Sequence, residues 1–237
     1  MKATSPHYPW VIAVIGMLML LMSNGLTATG LTAFDPSLLG EFEWSRAEFK
    51  FRDALTFWIA GLLAPLVGLL VDRFNPRWLL IGGLLALTVG YLAYGLLGVP
   101  AAAPLFDAIA IGVALTYAVL AWFALRAWAP LLRPWVAVTL LVLVVGLGLW
   151  GYATHWRDSS LHQLYVIHLL FAIAVCCAGG AVVIVLVCSW FVRHRGLALG
   201  IALVGTSLGS ALLPNLTAPL VEAYGWRTAF HVEALLP

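Results

Sequence analysis

Residues 161–191 read LHQLYVIHLLFAIAVCCAGGAVVIVLVCSWF, without one Asp, Glu, Lys or Arg. A bilayer core of about 30 Å is crossed by around 20 apolar residues of helix. No water reaches backbone groups at that depth, so a lone apolar run of this length is satisfied only as a helix bonded to itself. The whole composition agrees, with 63% hydrophobic and 9% charged residues. A soluble domain carries about 25% charged residues, so most of this surface must face lipid. The formal charge of +2 is small and dispersed, and no basic patch points to nucleic acid.

Outward from that run, the same rule finds seven full spans: Trp10–Phe34, Ala54–Val71, Arg77–Leu97, Leu105–Ala127, Pro134–Tyr152, Leu161–Phe191 and Leu197–Val221. A broken one starts near Arg227 and stops at Pro237. Residues 1–237 therefore read as a single transmembrane domain. The first apolar run continues past Asn24 to about Thr32, which is long for a signal peptide, and is expected to remain as an uncleaved span. Cys176, Cys177 and Cys188 fall in one apolar run and read as small helix residues, neither a disulfide framework nor a metal site. The charged stretch 34–53 is expected to form a short interfacial helix with its charges outward.

Lys and Arg orient the bundle. With the N-terminus cytoplasmic, that side collects Lys2, Arg73, Arg77, Arg126, Arg133, Arg193 and Arg195; the other collects Arg46, Lys50, Arg52, Arg157 and Arg227. Trp10, Trp78, Trp128, Trp135, Trp150, Trp190 and Trp226 stand near span ends, as an interfacial belt requires.

Two segments carry a motif. Gly68-Leu-Leu-Val-Asp72-Arg73-Phe-Asn-Pro-Arg77 ends the second span with a charged knot, in which Asn75 is expected to tolerate a left-handed turn. The second is Ser189-Trp-Phe-Val-Arg193-His-Arg195-Gly-Leu-Ala-Leu-Gly200, followed by Gly205-Thr-Ser-Leu-Gly209, Pro214 and Gly225-Trp-Arg227. The first resembles the loop between helices two and three of the major facilitator superfamily, matched at Gly68, Asp72, Arg73 and Arg77. The second resembles the fourth-to-fifth helix region of its monocarboxylate and oxalate/formate branches. Phe42–Phe49 looks like the segment before helix two there. The resemblance implies an all-α integral membrane protein, the amino-terminal half of a facilitator-type bundle in a bacterial-type inner membrane. It also implies that Asp72 and its arginines brace a cytoplasmic gate.

Departures from the pattern matter too. Residues 100–158 add two spans where the family has a short loop, and read as an inserted transmembrane hairpin on the outside of the bundle. The adjacent Gly-Pro of the antiporter helix is absent, and His168 is the one deep titratable residue that could stand in for the missing basic residue of helix four.

Polar residues within spans are costly and tend to face the bundle interior. The candidates for lining a solute path are Asn24, Thr27, Tyr91, His168, Thr206 and Ser207. Each Thr or Ser could equally bond its own helix carbonyl. Gly196/Gly200 and Gly205/Gly209 are small-xxx-small pairs suited to close helix packing, and Pro214 suits a bend. With no intramembrane Arg or Lys counted, a carboxylate solute is disfavoured, although the branch resemblance points to one.

The expected function is secondary transport of a small organic solute by alternating access, incomplete in this chain alone, with no cofactor and no catalytic or metal site. The partners are the lipid bilayer, the solute, and a separate second half or a second copy. The alternative is a non-transporting remnant or subunit. A membrane enzyme built on His155, Asp158 and His162 lacks a nucleophile. A retinal pigment lacks an embedded lysine, since Lys2 and Lys50 are the only two. From Arg227 the remaining residues make roughly 16 Å of helix, so the tail is expected in the outer interface.

Overall fold

The computed structural model describes residues 7–128 and 159–237. Among these the chain is helical without strands, and it is an integral membrane bundle. α1 (Tyr8–Asn24) starts on Pro9, where a missing N–H costs nothing. It continues through a π turn (Gly25–Thr29) and a 3-10 turn (Gly30–Phe34) into α2 (Asp35–Phe42). Then come α3 (Arg46–Arg73), α4 (Pro76–Gly95), α5 (Ala103–Trp128), α6 (Ser160–Ala178), α7 (Gly180–Trp190), α8 (Arg195–Tyr224) and the short α9 (Trp226–Glu233).

Six stretches of the described residues are long and apolar enough to cross a membrane: Tyr8–Phe42, Arg46–Arg73, Pro76–Gly95, Pro100–Phe123, Ser160–Trp190 and Arg195–Tyr224. The expected span Pro134–Tyr152 lies outside the described residues, as do Lys2, Arg133, His155 and Asp158. Of residues 100–158, expected as an inserted hairpin, α5 is described, and it packs against α6 and α3.

Ring contacts define the two ends of the bundle. Tyr8 meets Trp190, Trp10 meets Phe191, and Phe74 meets Phe123 at one end. At the other, Glu41 receives hydrogen bonds from Trp226 and Arg227, and the Gln163 side chain accepts from the Gly98 backbone. α1, α3, α4 and α5 therefore run alternately up and down, whereas α6 starts at the same end of the bundle as α5. α1 packs most extensively on α8, and α6 on α3 and α4.

The α1–α8 seam is a backbone contact. A Cβ on Gly209 would lie 3.0 Å from the Gly25 Cα, and one on Gly205 would strike the Met17 carbonyl. Small residues permit this approach, and close packing is a main source of helix association in lipid. Gly205 and Gly209 thus lie in the seam. At Gly196, Gly200 and Gly68 a Cβ meets nothing within 4 Å among the described residues. They point away from the helices around them.

Other expectations also change. The second span starts at Arg46, not Ala54, because Ser45 and Glu48 form a capping box: the Ser45 hydroxyl accepts from the Glu48 N–H, and the Ser45 N–H donates to the Glu48 carboxylate. Only residues 35–42 form a separate short helix. Asn75 is extended at the head of α4, its side chain accepting from the Arg77 N–H at 3.1 Å, so it makes no left-handed turn. The quoted run 161–191 breaks at Gly179, which separates α6 from α7. Trp226 is buried under Glu41 and Phe42, and does not sit in a lipid-facing belt. α9 packs on α4 and α8 and buries Phe230 and Glu233. The tail is therefore seated in the bundle rather than spread in the interface, because Phe34, Tyr91 and Tyr94 offer Phe230 a ring-lined pocket.

Candidate functional site

The polar residues inside the bundle gather at two places joined by aromatic rings. The first begins at the head of α3. The capping box starts that helix early enough to carry Arg52 fully inside, at 0% exposure. Its guanidinium lies 3.8 Å from the centre of the Phe49 ring, a favourable cation–π position. It donates to Asp35 at 2.5 Å, to Asp53 at 3.2 Å and to the Tyr94 hydroxyl at 3.4 Å. Lys50 reaches the same two carboxylates, Asp35 at 2.5 Å and Asp53 at 3.4 Å. Two cations and two anions therefore cancel.

The chain of bonds continues inward. The Tyr94 hydroxyl lies 2.6 Å from His168 Nε2, and the Thr56 hydroxyl lies 2.7 Å from His168 Nδ1. Thr56 is also 3.2 Å from the Arg52 and His168 carbonyl oxygens. One direction satisfies every group. Arg52 donates to Tyr94, Tyr94 donates to Nε2, a hydrogen on Nδ1 goes to Thr56, and Thr56 donates to a carbonyl. This wire ties α2, α3, α4 and α6 together. Among the described residues no three His, Cys, Asp or Glu side chains converge to hold a metal.

The second place is the broken C-terminal part of the first span. π turns leave irregular carbonyls and often mark functional positions. Here the Tyr91 hydroxyl donates to the Leu26 carbonyl at 2.9 Å. Thr27 donates back to the Ser23 carbonyl at 2.5 Å, and Ser23 to the Ala178 carbonyl at 3.0 Å. Irregular backbone is tolerated at membrane depth where protein covers it, and the Gly25–Gly209 contact does that. Tyr91 and Tyr94 both pack on Phe171 and Phe230, which joins the two places.

Of the sequence candidates, His168 and Tyr91 are fully buried in this assembly, and Thr27 is buried beside it. Asn24 is half-buried and donates weakly to Ser23 at 3.5 Å. Thr206 is half-buried and Ser207 exposed on α8, and neither makes a side-chain hydrogen bond among the described residues. The sequence reading does not single out Asp35 and Arg52, because it places residues 34–53 in an interfacial helix with its charges outward, and it passes over Thr56 in the second span. The signal was present in Ser45-Arg-Ala-Glu48. At the other end Asp72, Arg73 and Arg77 are exposed and make no ion pair among the described residues.

These features define a polytopic helical membrane protein with a buried polar wire. No family model matches the chain, and no solved structure matches it. It is similar to the riboflavin transporter RibJ of Trypanosoma brucei brucei, 34% identical over 148 residues, covering 59% of this chain and 25% of that protein. It is also 30% identical over 126 residues to the riboflavin transporter RibJ of Trypanosoma cruzi, covering 53% of this chain and 25% of that protein. The chain thus spans about a quarter of the length of these curated relatives.

Proposed function

We propose that this chain is one half-bundle of a secondary transporter that moves a small, neutral, planar solute of the riboflavin kind by alternating access. The single observation that carries this reading is the similarity to two riboflavin transporters. Supporting it, one face of α8 stays open along Gly196, Gly200, Ser207 and Asn215, as a wall awaiting an opposite half would. Transport then needs a second half rocking against this one. The N-terminus and the Arg73 and Arg193 loops lie on the cytoplasmic side of a bacterial-type inner membrane, and 100–158 is an inserted hairpin.

A neutral solute is favoured over the carboxylate that the branch resemblance suggested. Among the described residues Arg52 is the buried cation, and Asp35 and Asp53 already neutralise it. The Asp72 and Arg73 loop is the gate contact to the opposite half, and Asn24, Thr27, Thr206 and Ser207 flank the path. The test is uptake of labelled riboflavin into liposomes diluted to one chain each. Lone chains give no saturable uptake. Saturable uptake by lone chains would overturn the half-bundle reading.

A further inference from the structure

Glu233 takes no part in the wire around His168. It is 2% exposed, on α9, and faces Thr217 of α8, which is 0% exposed. The Thr217 hydroxyl donates to Glu233 Oε1, and Oε2 has no hydrogen-bond partner among the described residues. An ionised carboxylate in this position would be buried without a cation, which is among the costliest arrangements a fold can hold.

The charged and titratable groups around it do not relieve this. From α4 come Tyr91, committed to the Leu26 carbonyl, and Tyr94, committed to His168 and Arg52. On α9 itself, Arg227 is held by Glu41 at the end of the bundle, and His231 is exposed beside Gly95. From α8, Glu222 and Tyr224 are exposed. Each neighbour is engaged, exposed or of the same sign.

Thr217 stands between Pro214 and Pro219, both inside α8. Each proline removes one backbone hydrogen bond and eases bending of the helix there. The single donor to Glu233 therefore sits on the most bendable part of α8. Burial pushes the Glu233 carboxyl up to about 7, and the Thr217 bond only partly opposes it.

We propose that Glu233 is a proton-binding site, occupied while α9 is packed on α8 and α4, and emptied to water when α8 bends away. The proton comes from water and returns to it, with no other bond made or broken. Proton binding stands on the packing alone. Its use as the coupling ion rests on the transporter reading above.

The experiment is infrared spectroscopy of the whole chain in lipid nanodiscs, scanned from about pH 5 to about pH 9. A carbonyl band of a buried, protonated carboxylic acid persists past the range of ordinary carboxyls and disappears on the alkaline side. It is missing in Glu233→Gln, and Thr217→Val, which takes away the hydrogen bond, shifts its frequency. Circular dichroism checks that both variants are helical; if Glu233→Gln fails to fold, the Thr217→Val shift decides. Absence of a band above the ordinary carboxyl range, or a band indifferent to both substitutions, overturns the proposal. An intact band together with saturable riboflavin uptake by lone chains removes the half-bundle reading and leaves the proton site standing.

Discussion

Replacing Arg52 by Met keeps the volume and removes the charge at the centre of the polar wire. Arg52 makes three side-chain hydrogen bonds, to Asp35, Asp53 and Tyr94. Removing one partner of a buried ion pair costs roughly 3–5 kcal/mol when the other charge is stranded. Here the stranding is partial. Lys50 still holds Asp35 at 2.5 Å, Asp35 and Asp53 are 16% and 33% exposed, and Tyr94 keeps His168. The loss should therefore fall to about 2–3 kcal/mol, a roughly 30- to 160-fold shift in the folding equilibrium. Reversible unfolding of the detergent-solubilised chain, followed by helical circular dichroism, measures it. Asp35→Asn in the Arg52→Met background should cost less than in the wild type, since the two residues share one contact. Stability within about 0.5 kcal/mol of wild type for Arg52→Met, or strict additivity of the pair, would refute the wire as a structural unit.

Three further outcomes follow from other parts of the bundle. Gly209→Leu forces a side chain against Gly25 and should destabilise by about 1–3 kcal/mol or more, while Gly200→Leu, with nothing within 4 Å, should stay within about 0.5 kcal/mol of wild type; equal effects in the same unfolding assay would sink the seam. In a background with the three cysteines replaced by alanine, an impermeant thiol reagent added outside should label a cysteine at position 46 and miss one at position 193, and the reverse pattern would invert the proposed topology. Because the Glu233 carboxyl is raised from 4.5 to about 7, the folded state binds its proton more tightly than the unfolded state. Its stabilising contribution is complete below about pH 4.5 and is lost as pH rises through about 7; Glu233→Gln should flatten that decline, and an unchanged slope would count against the burial.

The helical membrane class was readable from apolar run length alone, because lipid leaves the backbone no other solution. The Gly205/Gly209 seam was readable from spacing, but the same spacing at Gly196/Gly200 points to open space. A small-residue pair says that a helix can be approached, not that one is there. The wire was half legible. His168 and Tyr91 stood out as polar residues in apolar runs, whereas Arg52 was hidden by its charged neighbours Lys50 and Asp53. Composition called that segment solvated, and only the local Ser45–Glu48 cap told where the helix began. Glu233 sits in the short tail that the sequence places in the outer interface. Its burial depends on Phe230 finding Tyr91 and Tyr94 across some 140 residues of chain, which no local pattern contains.

The account's central claim is a solute site of the riboflavin kind on this bundle. Thermal unfolding of the whole chain in nanodiscs, with increasing riboflavin and separately with oxalate or lactate, tests it most directly, since a ligand that binds only the folded state raises the melting temperature in proportion to its affinity. The account predicts saturable stabilisation by riboflavin and none by the carboxylates. Stabilisation by a carboxylate without any by riboflavin, or by neither, would contradict it.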